Sequence, residues 1–157
     1  MSRAYETDTM RILFVCTGNT CRSPMAAAWF KKLCDDQGLG HIEVDSAGLS
    51  VRKNDSVSEN ARAVLAESGL IPLRLGSVLV TSRMVGTADL VMTMTFQHYE
   101  TLVERFPFAE GKSRPLMAVL HQHGRDVFDP YGGTLQDYRR CLDMMKPALA
   151  ALLERIR

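Results

Sequence analysis

A cysteine followed six positions later by an arginine and then a serine stands between two differently patterned segments, in the run CTGNTCRS at residues 16–23. Before it, residues 11–15 form a short, mainly apolar run that predicts a buried parallel strand. After it, Ser23 and Pro24 predict a helix start, with the serine at the N-cap and the proline at the first helical position. The backbone N–H groups of the turn should therefore converge at a helix N-terminus. This arrangement is a cradle for an anion.

Cys16 and Arg22 have complementary chemistry within this turn. The helix dipole, the converging N–H groups, the Ser23 hydroxyl and the Arg22 guanidinium all favour the thiolate form of Cys16, which is the nucleophilic form. The planar Arg22 side chain offers two parallel donors that match two phosphate oxygens. Five intervening residues close one loop around a tetrahedral oxyanion, so both ends reach the same phosphorus. The alternative is a buried, inert Cys16 beside an unrelated surface arginine.

Length, charge and cysteine content limit the class of protein. The chain has 157 residues and a formal net charge of +1, so we expect one domain, residues 11–157, after a flexible tail at residues 1–10. The balanced charge gives no reason to expect nucleic acid or a membrane as a partner. Four irregularly spaced cysteines indicate reduced thiols and not a disulfide framework, which predicts a cytoplasmic protein.

The rest of the chain alternates between strand-like and helix-like segments. Strands are predicted at residues 11–15, 42–44, 73–77, 88–92 and 113–117, and helices at 24–37, 56–69 and 81–87, before residue 106 and from residue 134 onward. Ser56 with Glu59 predicts a capping box. Thr134, with Asp137 three residues later, predicts the start of the last helix, in which Pro147 predicts a kink or restart. Such alternation predicts a parallel sheet with helices on both faces and a ligand site at the carboxyl ends of its strands.

A carboxylate near the C-terminus is the best candidate for an acid that complements the thiol. Thiolate attack on phosphorus needs a proton for the leaving group. Asp129 lies in the Gly- and Pro-rich loop VFDPYGG just before the last helix, with Pro130 stiffening the backbone and Tyr131 supplying an aromatic wall. An Asp-Pro pair alone is typical of a turn. The Cys16 loop is what makes this one a candidate for catalysis.

The two loops together resemble the low-molecular-weight protein tyrosine phosphatases. The likeness is carried by VCTGNTCRSPMA at residues 15–26, by Ser46-Ala47-Gly48, by ADLV at residues 88–91 and by Asp129-Pro130-Tyr131. It implies an α/β three-layer sandwich in a single domain, with a central four-stranded parallel sheet and a phosphate-binding loop after the first strand. It also implies hydrolysis of a phosphorylated protein through a phosphocysteine intermediate, with inorganic phosphate as product and no metal or other cofactor. We expect a monomer.

The resemblance assigns roles to individual residues. Cys16 would be the nucleophile, Arg22 the phosphate clamp and Asp129 the general acid and then base. Ser23 would hydrogen-bond the thiolate, and Ser46 would support the loop through Asn19. A histidine that braces this asparagine in the family corresponds to Leu75, which predicts a shorter brace. The full phosphate-binding loop would comprise Thr17, Gly18, Asn19, Thr20, Cys21, Arg22 and Ser23.

Within the family, the chain is most similar to the bacterial protein arginine phosphatases. These carry threonine at the position of Thr20 and an Asp-Pro-aromatic-Gly-Gly run like residues 129–133. Specificity is therefore assigned to Thr20, Leu49 and Tyr131, with phosphoarginine as the expected substrate group and phosphotyrosine as the alternative. A phosphotyrosine ring gains from apolar walls on both faces, whereas a guanidinium prefers polar neighbours such as a hydroxyl.

Other interpretations of the same residues are weaker. Arsenate reductases resemble this fold but need a resolving cysteine pair, and residues 76–90 contain no cysteine. A phosphoprotein-binding module without catalysis has no support, since Cys16 and Asp129 are both present. Cys21 is either a small filler or the partner of Cys16 in a protective, reversible disulfide. Cys34 and Cys141 are predicted in the core, and no zinc-ligand spacing joins the histidines at 121 and 123 to the cysteines.

Overall fold

The computed structural model describes residues 8–157, which form a parallel sheet of four strands. The strands are β1 (Met10–Cys16), β2 (Ile42–Gly48), β3 (Leu90–Thr93) and β4 (Ser113–Pro115), in the spatial order β2-β1-β3-β4. Each neighbouring pair is parallel. The predicted sheet is therefore confirmed, with β1 in its interior and its carboxyl end directed toward the Cys16 loop.

Helices cover both faces of the sheet, as the alternating pattern predicts. They are α1 (Arg22–Asp36), α2 (Glu59–Ala66), α3 (Ser82–Thr87), α4 (Phe96–Arg105) and α5 (Leu135–Ile156), with 3₁₀ segments at Pro107–Lys112 and Leu116–Leu120. Side chains of β1 alternate between two cores: Ile12 and Phe14 face the core of α1 and α5, and Leu13 and Val15 face the core of α3 and α4. No helix in residues 8–157 is long and apolar enough to cross a membrane.

Two element starts differ from the sequence prediction. Ser23 is not an N-cap, because α1 begins one residue earlier at Arg22 and the Ser23 hydroxyl is used inside the turn by Cys16. Pro24 still lies in the first turn, where its missing N–H has no helical partner to lose. In α2 the cap is Ser58, whose hydroxyl accepts from the Ala61 N–H, so the predicted capping box at Ser56 is wrong.

The segment predicted as a strand at residues 73–77 forms no strand. The strand-type pairing of this region is limited to two isolated bridges, Ser56 to Gly76 and, just beyond the segment, Gly48 to Leu79. Its apolar side chains Leu73 and Leu75 are exposed, so no buried face stabilises a regular strand. Apolar composition without burial misled the prediction here.

The two ends of the chain give mixed outcomes. The predicted start of the last helix at Thr134 is confirmed, and Thr134 forms a capping box with Asp137 there; the helix runs through Pro147 without restarting. Met10, which the prediction placed in the tail, begins β1 and pairs with Ile42. Most of the predicted tail, residues 1–7, lies outside the described residues.

Candidate active site

The thiol of Cys16 lies at the carboxyl end of β1 and contacts a serine hydroxyl. Cys16 Sγ is 2.9 Å from Ser23 Oγ, and both groups are buried. The same Ser23 oxygen accepts a hydrogen bond from Asn19 Nδ2 at 2.8 Å. Because Asn19 occupies an acceptor site of this hydroxyl, the Ser23 proton is available for donation to the sulfur. This geometry stabilises a thiolate at residue 16.

Asn19 holds the shape of the loop. Its backbone is left-handed, with φ of 55°, which costs free energy in a residue other than glycine. Its buried amide donates to Ser23 and to Ser46 Oγ at 3.0 Å, and its Oδ1 accepts from the Val78 N–H at 3.0 Å. The Asn19 carbonyl accepts from Ser77 Oγ at 2.9 Å. Each polar group of the amide therefore has a partner, which fixes the strained turn.

Support from residues 77 and 78 corrects the expectation of a shortened brace. Leu75, at the position assigned to the family's histidine, is 59% exposed and supplies no hydrogen bond to Asn19. The backbone of Val78 and the hydroxyl of Ser77 take over that support. The predicted contact from Ser46 is confirmed. Backbone donors leave no residue-type signal, so the contribution of Val78 could not be read from the sequence.

A second loop, residues 49–58, forms a wall beside the phosphate-binding loop. It is attached by backbone hydrogen bonds from Leu49 to Cys16, from Ser50 to Thr17 and from Ser58 to Thr20, each 2.9 Å long. The strand that leads into this wall approaches the phosphate-binding loop so closely that a Cβ on Gly48 would lie 2.6 Å from a backbone oxygen there. Glycine is therefore required at position 48. The wall and the phosphate-binding loop are one connected unit.

His98 is a supporting residue that the sequence did not reveal. Its Nε2 lies 2.7 Å from Thr17 Oγ1, at the first position of the loop after the thiol. Burial, reinforced by the positive charge of Arg22, lowers the pKa of His98 to about 4. The ring is therefore neutral at physiological pH and positions the Thr17 hydroxyl as an uncharged partner. A single histidine on a helix carries too weak a pattern to have been found.

Arg22 connects the phosphate-binding loop to the loop at residues 124–133, which contains Asp129 and is called the acid loop below. Its side chain is only 7% exposed, and its Nη1 donates to the Val127 carbonyl at 3.0 Å. Its Nη2 lies 3.6 Å from Asp129 Oδ2. The other carboxylate oxygen, Oδ1, accepts from the Tyr131 N–H at 3.1 Å. Asp129 therefore stands at the mouth of the site, 54% exposed, with one oxygen directed toward the clamp arginine.

The remaining thiols divide into two classes. Cys34 and Cys141 are fully buried, which confirms that both lie in the core, and burial raises the pKa of Cys34 to about 11 and that of Cys141 to about 12. Cys21 lies in the loop, with its Sγ 3.2 Å from the hydroxyl of Tyr138. Burial and this contact raise the pKa of Tyr138 to about 12, so the hydroxyl stays protonated. Cys16 and Cys21 are both free thiols here.

A cavity of about 240 Å³ opens above the thiol. It brings together most of the residues predicted for the site, whereas Asn19, Ser23 and Ser46 lie beneath the loop as supports. Leu49 does not line the cavity: its side chain is buried in the core of α3 and α4, and Ser50 occupies the wall instead. Asp55 is a lining residue that the sequence did not single out. The lining residues are Cys16, Thr17, Gly18, Thr20, Cys21, Arg22, Ser50, Arg52, Asp55, Asp129 and Tyr131.

Metal-ligating side chains are dispersed. Among residues 8–157, no group of three or more histidine, cysteine, aspartate or glutamate side chains is placed to hold a metal ion. His121 and His123 pack against each other, with ring centroids 6.5 Å apart, and do not line the cavity.

A family model described as low molecular weight phosphotyrosine protein phosphatase matches residues 11–157. The chain belongs to this family. It is 38% identical to a protein-arginine-phosphatase of Geobacillus stearothermophilus, over 93% of this chain and 95% of that one. It is 33% identical to a low molecular weight protein-tyrosine-phosphatase of Streptomyces coelicolor, over 95% and 94% of the two chains.

A solved structure with the same fold shows a modified active site. It is a cysteine-to-serine mutant of the YwlE arginine phosphatase with a phosphorylated active site serine. That structure superposes with a TM-score of 0.88 at 34% identity, covering 94% of this chain and 95% of the other. The chain is thus a cysteine-dependent protein phosphatase, a hydrolase whose substrates are phosphoproteins.

Proposed function

We propose that the protein hydrolyses phosphoarginine residues in proteins, with Cys16 as the nucleophile. The observation that carries this proposal is the polar character of the cavity wall. Tyr131 is the one aromatic residue among the described lining residues, which include the polar side chains of Thr20, Ser50, Arg52 and Asp55. A phenyl ring would find one aromatic neighbour and no second face, whereas a planar guanidinium would find hydroxyl and carboxylate partners.

The first chemical step is transfer of the phosphoryl group to sulfur. The Cys16 thiolate attacks phosphorus, a P–S bond forms and the P–N bond to the guanidinium group breaks. Arg22 and the N–H groups of the loop bind the equatorial phosphoryl oxygens, where negative charge is concentrated in the transition state. Asp129, protonated at this stage, donates its proton to the departing nitrogen. The Ser23 hydroxyl, 2.9 Å from the sulfur, stabilises Cys16 as thiolate before attack and after release.

The second step returns the enzyme to its starting state. Asp129, now a carboxylate, removes a proton from a water molecule as that water attacks phosphorus, and the P–S bond breaks. Inorganic phosphate leaves and Cys16 is again a thiolate. The phosphorylated active site serine in the YwlE mutant supports a covalent intermediate at the equivalent step. The exposure of Asp129 supports access of water to this side of the cavity.

Relatives with a named activity support arginine over tyrosine. Two protein-arginine-phosphatases, from Geobacillus stearothermophilus and Bacillus subtilis, are 38% and 37% identical to this chain. Thr20 lines the cavity, as expected for a residue that contacts the group bonded to phosphorus. A specific observation favours phosphotyrosine as the second candidate: Tyr131, 63% exposed at the mouth, could stack on a phenyl ring. Arsenate reduction would need a resolving cysteine pair, and residues 76–90, where the related reductases would carry it, contain no cysteine.

The experiment compares kcat/KM on matched peptides that carry either phosphoarginine or phosphotyrosine. Wild type should prefer phosphoarginine, because its polar wall accepts the guanidinium. Thr20→Ile removes the hydroxyl and adds bulk. It should lower the ratio of kcat/KM for phosphoarginine to kcat/KM for phosphotyrosine about tenfold or more, which could reverse the preference. Thr20→Ser keeps the hydroxyl and serves as the matched control, so it should retain the preference. A wild type that prefers phosphotyrosine, with no response to Thr20→Ile, would overturn the proposal.

We further propose that the chain acts as a monomer in the cytoplasm. Every group assigned to catalysis comes from one chain, from β1, the phosphate-binding loop and the acid loop, so no second copy is needed to complete the site. The four cysteines are free thiols, as expected of a reducing compartment. Sedimentation at micromolar concentration with full activity would support the monomer.

A further inference from the structure

Asp55 is a carboxylate in the wall of the active-site cavity that has no cationic partner. Four charged residues line the cavity: Arg22, Arg52, Asp55 and Asp129. Asp129 stands 3.6 Å from the Arg22 guanidinium. Among the ion pairs of the described residues, none involves Asp55, although Arg52 is only three positions away. The wall therefore presents a carboxylate that forms no ion pair within the described residues, and Arg52, which lines the same cavity, forms none either.

The backbone holds Asp55 in place from both sides. The Asp55 N–H donates to the Arg52 carbonyl at 3.1 Å, which closes a turn that includes Asn54 at a φ of 63°. The Asp55 carbonyl accepts from the Ser77 N–H at 2.9 Å, and Ser77 in turn donates to the Asn19 carbonyl. The position of Asp55 is thus tied to the phosphate-binding loop. The carboxylate is carried by a fixed segment, as a recognition group requires.

One oxygen of this carboxylate is left for a ligand. Oδ1 accepts from the Ser56 N–H at 3.1 Å, and no described residue donates to Oδ2. A partner that brings N–H donors and positive charge would therefore meet an unoccupied acceptor on the cavity wall. Asp55 is half-buried, so its charge is screened less than that of a fully exposed side chain.

An unpaired carboxylate is unexpected beside a site that binds a doubly charged anion. It repels the phosphoryl group and therefore lowers the affinity for any phosphate ester whose other end is neutral. The arrangement is favourable only for a substrate that carries positive charge next to its phosphorus. Phosphoarginine does so, because its guanidinium is bonded to phosphorus through nitrogen. A phenyl phosphate does not.

We propose that Asp55 binds the guanidinium of phosphoarginine while the phosphate-binding loop holds its phosphoryl group. This inference rests on the proposed function and names a residue that enforces it. Asp55 thereby selects by charge: it attracts the cationic substrate and repels neutral-ended phosphate esters, so it acts for one substrate class and against the other. Thr20 in the phosphate-binding loop and Asp55 in the wall both line the cavity, so both can contact this planar group.

The test uses two small substrates that differ in this charge, free phosphoarginine and p-nitrophenyl phosphate. Asp55→Asn keeps an oxygen for the Ser56 N–H, so the turn is preserved while the charge is removed. For phosphoarginine we expect kcat/KM to fall about tenfold, mainly through KM, because a charge-assisted hydrogen bond is lost. For p-nitrophenyl phosphate we expect kcat/KM to stay equal or rise by up to about threefold, because repulsion is removed.

Glu59→Gln is the matched control. Glu59 is an exposed carboxylate four positions along the same segment and does not line the cavity. Its neutralisation should leave both substrates unchanged, which separates a local contact from a general change of charge. Asp55→Glu, which keeps the charge on a longer side chain, should retain more phosphoarginine activity than Asp55→Asn.

Three results would overturn the inference. An equal loss on both substrates would make Asp55 a structural residue, and an unchanged kcat/KM for phosphoarginine would remove it from recognition. If Asp55→Asn lowered kcat/KM only for arginine-rich peptides and not for free phosphoarginine, Asp55 would contact neighbouring residues of the peptide instead of the phosphorylated guanidinium. Failure of the proposed function looks different: wild type would then prefer phosphotyrosine peptides, whatever the response to Asp55→Asn.

Discussion

The two halves of the active site differ in how firmly they are held. The phosphate-binding loop, residues 16–23, is buried apart from Thr17 and Gly18, and Asn19, Ser23 and Ser46 join in one hydrogen-bond network beneath it. The acid loop, residues 124–133, is largely exposed, and Asp129 and Tyr131 stand in solvent at more than half of their surface. Stabilisation of the phosphoryl group requires fixed donors, whereas delivery of a proton to a protein substrate requires access.

The difference indicates that the phosphate-binding loop lowers the activation free energy, whereas the acid loop adapts to the substrate. A preorganised loop lowers the transition-state energy without rearranging during the reaction. A more exposed acid loop can meet a bulky phosphoprotein and then admit water for the second step. Arg22 joins the two halves through its bond to the Val127 carbonyl, so the acid is not independent of the loop. Four substitutions test this division, in order of decreasing effect.

Cys16→Ser should have the largest effect, because it removes the nucleophile from the fixed half. We expect kcat to fall about 10⁴-fold or more, since residues that act as one unit lose most of their effect together. Binding of inorganic phosphate, measured by calorimetry, should persist because Arg22 and the loop N–H groups remain. Turnover close to wild type would contradict the assignment of Cys16. Loss of phosphate binding would show that the thiolate also shapes the loop.

Asp129→Asn tests the exposed half. We expect kcat to fall about 10²–10³-fold on phosphoarginine peptides, the range of a lost general acid. The loss should be smaller on a phosphate ester whose leaving group needs no proton, such as 2,4-dinitrophenyl phosphate. Steady-state rates on the two substrates check this difference. Equal losses on both would assign Asp129 to support of Arg22 instead of proton transfer.

Asn19→Ala sharpens the comparison within the fixed half. It removes the donors to Ser23 and Ser46 and the acceptor for the Val78 N–H. Because a left-handed turn then lacks its support, we expect the free energy of unfolding to fall by about 2–3 kcal/mol. Urea unfolding measures this change. Ser46→Ala, which removes one contact only, is the control and should cost about 1 kcal/mol. Equal costs would contradict the central place of Asn19.

His98→Gln should have the smallest effect, and that effect depends on pH. The folded protein holds the pKa of His98 at about 4, below its usual value of 6.5. Below pH 6.5 the unfolded chain therefore binds a proton that the folded chain does not, and stability falls as pH falls toward 4. By pH 5 the loss attributable to this residue is about 2 kcal/mol. Glutamine does not titrate, so in His98→Gln the free energy of unfolding should depend less on pH between 7 and 5.

The check is urea unfolding at pH 5 and pH 7 for wild type and His98→Gln. Glutamine retains a nitrogen that can meet Thr17 Oγ1, so activity at pH 7 should stay within about threefold of wild type. His41→Gln makes the same substitution at a half-buried site away from the phosphate-binding loop, and it is the control for the effect of losing a histidine on activity at pH 7. An unaltered slope in His98→Gln would assign the acid sensitivity to another group.

Site residues whose role requires a particular side chain could be predicted from the sequence. Residues that contribute through their backbone could not. Cys16, Arg22 and Asp129 could be found because their chemistry demands particular side chains in a characteristic run. Leu49 was assigned to specificity because of its place after Ala47-Gly48 in the family resemblance. That place does not say which way the side chain turns, and here Leu49 packs in the core. The support from Val78 is a backbone N–H, which any residue but proline supplies.

The fold shows the same division. Long elements with continuous burial, such as β1 and α5, were predicted with the right type, because burial imposes a pattern on many residues at once. The segment at residues 73–77 was wrong because its leucines are exposed. The start of α1 was displaced because Ser23 serves the thiol instead of the helix. The preference of serine for an N-cap position is overridden there, because the active site uses the Ser23 hydroxyl.

The tie between Arg22 and Val127 spans 105 residues of the chain. A polypeptide still being synthesised carries its reactive thiol and its clamp long before the acid loop exists to meet them. Folding that depends on such distant pairing is slow compared with closure of local turns. A chain that ends before residue 127 therefore lacks both the contact that holds the Arg22 side chain and the carboxylate of Asp129, so the complete site requires the C-terminal part of the chain.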